Sequence, residues 1–82
     1  MYTNNIIMTQ ELKANPIQRC KDRVRLTLER LPKNFIDIIV KHYPKYNTIK
    51  GGILIRDVKY LRAADVDLTE IFENIANGKL TL

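Results

Sequence analysis

The sequence has a single cysteine, Cys20, so no internal disulfide can form, and it holds no CxxC pair or Cys/His cluster spaced to bind a metal. A reducing, intracellular setting fits. Long apolar runs are also missing: none approaches the roughly 18 residues that suggest a membrane span. The start, "MYTNNIIMTQE", lacks the basic beginning and apolar middle of a signal peptide. The expectation is a soluble, cytoplasmic protein with no membrane partner. Internal repeats and low-complexity tracts are absent as well, and the Gly51-Gly52 pair lacks the lysine and hydroxyl context of a nucleotide-cradling loop.

What is present is a chain of 82 residues, 45% hydrophobic and 28% charged, enough for one small core built without metal or disulfide. The formal net charge is +5, and it is unevenly spread. Residues 1–15 are neutral; residues 16–50 hold nine Lys/Arg against three acids; residues 51–82 hold four against five. Such a block favours an acidic partner, with a lysine-rich solvated surface as the plainer alternative.

Residues 1–14 show no sustained period and read as an N-terminal arm; the domain proper is expected over 15–78, with 79–82 as a tail, frayed or adding an apolar contact in a dimer. In "NPIQRCKDRVRLTLERL" an N-cap asparagine precedes Pro16 at the first helical position, and Ile17, Cys20, Val24, Leu28 and Leu31 step by three and four up to Pro32. A second helix is expected over 34–43, capped by Asn34, burying Phe35, Ile36, Ile39, Val40 and Tyr43. In "DLTEIFENIANG", Asp67 and Glu70 suggest a capping box, Leu68, Ile71, Phe72 and Ile75 form one stripe, and Gly78 is placed as a stop.

The segment "NTIKGGILIRDVKYLR" is ambiguous. Read as a strand, Ile53, Ile55, Asp57, Lys59 and Leu61 would mix apolar and charged groups on one face. Read as a helix, Leu54, Val58 and Leu61 form a stripe supported by Ile55, and Arg56 and Lys59 share an exposed side. Helix is the better reading, with the glycines at its start because each costs about 1 kcal/mol in a helix interior. The chain then reads as all-α, a small four-to-five-helix bundle containing a helix-turn-helix. Thr48, Lys50 and the glycine amides would stand at a helix N-terminus, where N–H groups favour phosphate.

From Val24 to Gly78 the chain resembles the small helix-turn-helix proteins of bacterial phages and mobile elements, related in layout to the lambda-repressor-like DNA-binding group. The residues that carry the likeness are Leu31-Pro32 with Phe35, the basic run Arg56 to Arg62, and Asp65 with Leu68, Glu70 and Ile71. The resemblance implies sequence-specific binding to duplex DNA by a regulator or accessory factor, with the helix around 51–61 in the major groove. Carried onto this sequence, Thr48, Lys50, Arg56, Lys59 and Tyr60 would face DNA. Arg56 is the choice for a bidentate guanine contact, and Lys45, Lys50, Lys59 and Arg62 for phosphates. Arg23 and Arg30 would either reach the DNA backbone or be solvated. One such module offers few base contacts, so a homodimer is the expected state.

No catalytic constellation emerges. His42 lacks a nucleophile or carboxylate at a telling spacing, Cys20 lies on an apolar stripe, and the acids from Asp65 to Glu73 are explained by capping and solvation, so neither a cofactor nor a small-molecule substrate is expected. The rival to DNA binding is a non-enzymatic interaction module, such as a phage-encoded inhibitor or structural accessory protein, bound to an acidic protein surface.

Overall fold

The computed structural model describes residues 15–82; the expected arm at 1–14 lies outside the described residues. Among the described residues four α-helices follow one another: α1 (Pro16–Arg25), α2 (Phe35–His42), α3 (Ile49–Lys59) and α4 (Val66–Ala76). Single 3₁₀ turns at Leu28–Arg30 and Pro44–Tyr46 join the first three. The fold is all-helical, a small bundle, with no strand among the described residues.

The start of α1 follows the sequence expectation. The Asn15 side chain accepts a hydrogen bond from the Gln18 amide at 3.1 Å, and Pro16 occupies the first turn, where its missing N–H costs nothing. Its end does not. The helix stops at Arg25 instead of continuing to Pro32, because the buried Thr27 hydroxyl donates to the Val24 carbonyl at 2.7 Å and the chain tightens into the 3₁₀ turn. Cys20 and Val24 are buried as expected, whereas Ile17, at the head of the predicted stripe, is exposed.

Helix α2 buries Phe35, Ile38 and Ile39, with Ile36, Val40 and Tyr43 half-buried beside them. Asn34 precedes it but makes no side-chain cap. From α4, Leu68, Ile71, Phe72 and Ile75 complete the core, and the Phe72 ring meets Phe35 edge-on at 5.6 Å. Its cap is Asp65, whose carboxylate accepts from the Leu68 amide at 2.8 Å, and not the predicted Asp67. The backbone leaves the extended region at Asp65, so Asp67 already lies inside the first turn. Gly78 ends α4 with φ of +75°, its amide bonding Ile75 and the Lys79 amide reaching back to Asn74, which is the two-bond closure that favours glycine.

Two long-range links fix α1 and the tail. Arg23 holds Glu73 through two hydrogen bonds of 3.0 and 2.6 Å, clamping α1 to α4. Past α4, Leu80 packs against the core, the Thr81 carbonyl lies 2.6 Å from the His42 ring, and Lys41 donates to the Leu82 carbonyl. The tail is therefore seated on α2 and not frayed.

Candidate nucleic-acid interface

Helix α3 presents two very different sides. Gly51, Ile55 and Val58 are buried, with Leu54 half-buried beside them, so the inward stripe is centred differently from the predicted Leu54, Val58, Leu61 set. At 100° per residue, the opposite side is formed by Ile49, Ile53, Arg56 and Tyr60, at steps of four, three and four. All four are exposed. Asn47, Thr48, Ile49, Gly52, Ile53 and Arg56 line one shallow groove along the first turns.

The two glycines do different work. A Cβ on Gly51 would stand 2.3 Å from the Tyr46 carbonyl oxygen and 2.7 Å from its carbon, so this glycine lets α3 close onto the Pro44–Tyr46 turn. Gly52 faces the groove, where a Cβ would meet only the Arg56 guanidinium at 3.7 Å. The expectation that glycine amides would be open to phosphate is overturned. The Gly51 amide donates to the Thr48 hydroxyl at 2.9 Å and the Gly52 amide to the Thr48 carbonyl at 2.9 Å. The first-turn amides left over are those of Ile49 and Lys50.

The seven residues expected at the DNA face fall into three groups. Thr48 and Arg56 share the groove, Thr48 as the N-cap with its O–H still able to donate, and Lys50 stands exposed on the same first turn. Lys59, Tyr60 and Arg62 form a second cluster at the C-terminal end of α3. There the Lys59 ammonium lies 4.9 Å over the Phe35 ring and 5.5 Å over Tyr60, between the core edge and the Tyr60 ring. Arg62 stacks on Tyr60 at 5.3 Å and binds the Asp57 carboxylate through Nε and Nη2 at 3.0 and 2.9 Å. Lys45 is apart from both, 5.2 Å over Tyr46 and lining a depression with Asp67 and Glu70 of α4. Arg23 and Arg30, on and just beyond α1, are engaged within the fold, Arg23 by Glu73 and Arg30 by the Asn77 side chain at 2.9 Å.

Charge sharpens the picture. No acidic residue stands between Asp37 and Asp57, a span that carries Lys41, Lys45, Lys50 and Arg56 and includes the whole outward part of early α3. Asp57 itself is neutralised by Arg62. The acids gather on α4, where Asp67, Glu70 and Glu73 lie, with Glu73 held below the usual carboxylate range chiefly by its hydrogen bond to Arg23. Burial pushes the Tyr46 phenol up, helped by Asp65 and Asp67, so it stays protonated behind the turn.

Sequence reasoning missed Ile49, Ile53 and Asn47. The available signal was crowding: Ile49, Ile53, Leu54, Ile55 and Val58 cannot all fit one narrow stripe of an 11-residue helix, so some had to face outward. Among the described residues no group of acids, His and Cys is placed to hold a metal, and no helix is long and apolar enough to cross a membrane. The chain matches no protein-family model, no curated protein and no solved structure.

Proposed function

We propose that this chain is a duplex DNA-binding protein that lays the outer side of α3 in the major groove. The observation that carries the reading is the exposed edge Thr48, Ile49, Ile53 and Arg56, with half-buried Gly52 between them, in a span free of acids from residue 38 to residue 56. A helix about 10–12 Å across matches a groove about 12 Å wide. Arg56 is the base-reading side chain, with a planar fork suited to the O6 and N7 edge of guanine, and no ion pair among the described residues competes for it. Lys50, exposed on the first turn of the same helix, is the phosphate contact beside it. Arg62, already shared with Asp57, and Lys45, beside Asp67 and Glu70, contribute less. Together with the layout of the chain, this describes a cytoplasmic regulator or accessory factor of a phage or mobile element, a binding protein rather than an enzyme, acting as a pair of chains to double its base contacts.

The test is a mobility-shift titration with random duplex at two salt concentrations, followed by selection of bound sequences. Binding in the nanomolar to micromolar range is expected, weakening with salt at a log–log slope of about −3 to −4 if some four phosphates are contacted. Affinity unchanged in Arg56→Ala, Lys50→Ala and the double variant would refute the assigned face.

A second reading is favoured by one specific observation: Ile49 and Ile53 on α3 and Tyr60 just past its end are exposed by 83, 51 and 59%. Such a stripe also suits docking against a protein whose surface is acidic around an apolar centre, as an inhibitor or structural accessory would. Salt-insensitive capture of a protein, with no duplex bound at low salt, would favour it.

A further inference from the structure

Two isoleucines in water on consecutive turns of one helix need an explanation, since each leaves a large apolar side chain exposed beside an open groove floored by Gly52. The explanation offered here rests on the DNA reading above. In the major groove the only apolar feature on a base-pair edge is the C5 methyl of thymine. We propose that Ile49 and Ile53 read thymine methyl groups, next to the guanine read by Arg56.

The spacing fits a compact site. Ile53 and Arg56 are about 4.5 Å apart along the helix axis, and Ile49 and Ile53 about 6 Å, at 1.5 Å per residue. Base pairs rise by about 3.4 Å. The three side chains thus span consecutive or next-but-one base pairs, with the methyl-bearing pairs on the N-terminal side of the guanine contact. Gly52 matters here because it carries no side chain between the two isoleucines: the nearest group to its missing Cβ is the Arg56 guanidinium, 3.7 Å away. A methyl can approach the helix backbone at that point. The patch is bordered by Lys50 and Arg56 and lies in the acid-free span, a charge that suits the phosphates on either side of a base-pair edge.

The test uses the full chain and the duplex selected from the random pool, remade with uracil in place of each thymine in turn. Uracil keeps every hydrogen-bonding group and removes only the methyl. At a position one or two base pairs from the Arg56-dependent guanine for Ile53, and at one about three base pairs away for Ile49, uracil is expected to weaken binding about three- to fourfold, the factor for exposing one methylene-sized group. In Ile53→Ala or Ile49→Ala the same exchange should have no effect at the matching position. Equal binding of thymine and uracil duplexes by the unaltered chain would overturn the inference while leaving DNA binding intact. Failure to bind any duplex would overturn both. Because the thymine-to-uracil exchange is made in the DNA and read with the unaltered chain, the outcome that overturns the inference does not depend on whether a variant folds.

Discussion

Gly51 sits directly against the main chain of Tyr46, so close that a single added carbon would stand 2.3 Å from the Tyr46 carbonyl oxygen. The neighbour is backbone and cannot swing aside. Alanine at 51 is therefore expected to destabilise the fold by about 2 kcal/mol or more, despite its better helix propensity. At Gly52 the surroundings are open, and Gly52→Ala should stabilise by about 0.5–1 kcal/mol. Thermal melts of the two variants check this, and a shift in the same direction for both would contradict it.

The α4 cap makes a second pair of opposed expectations. Asp65→Ala removes the acceptor for the Leu68 amide and should cost about 1 kcal/mol, while Asp67→Ala, lacking that role, should change stability by a few tenths. Chemical denaturation of both variants measures the difference. An equal loss would mean that Asp67 shares the capping.

How much of this was legible in the sequence depends on what each feature needs. The α4 stripe and the Gly78 stop are local matters of period and backbone freedom, and both stand where the sequence places them. Asp65 and Asp67 are chemically equivalent candidates two residues apart, and the glutamate at 70 favoured the wrong one; only the extended backbone at Asp65 decides. The glycines are harder still. Adjacent positions on a helix point about 100° apart, so the meaning of Gly51 and Gly52 depends on the turn that packs beside them. Of the candidate face, the exposed position of Arg56 was readable, but the contacts of Lys59 with Phe35 and of Arg62 with Asp57 are tertiary and no spacing rule encodes them.

The Arg23 to Glu73 clamp gives a pH prediction with a definite sign. Glu73 is held below the usual carboxylate range, so its contribution is fully present above the unfolded-state value, about 4.3, and is lost as pH falls through the lower native value. Both side chains are partly exposed, so solvent trims the effect, and Glu73→Gln should cost about 1 kcal/mol at pH 7. Denaturation curves for the two proteins should converge as the pH is lowered through and below the usual carboxylate range. A constant gap across that range would show that the clamp is not electrostatic.

Within the interface, Arg56→Ala should flatten sequence preference at one base pair and cost about 1–3 kcal/mol on the selected duplex. Lys45→Ala, whose ammonium stacks on Tyr46 near Asp67 and Glu70, should lower affinity slightly and equally for all sequences. Parallel titrations against selected and scrambled duplexes separate the two effects.

Just beyond α3 the chain turns through Leu61 with φ of +63°, and Asp57 holds this joint twice: its carbonyl accepts the amides of Arg62 and Ala63, and its carboxylate takes the Arg62 side chain. With Thr48 capping one end and this closure the other, α3 is a finished rod before any partner arrives. If α3 is the binding element proposed above, association has no main chain to order there, and its entropic cost falls on a few side chains, chiefly those of Arg56 and Lys50. A binder built this way loses affinity when its side chains are altered and retains it when its loops are stiffened.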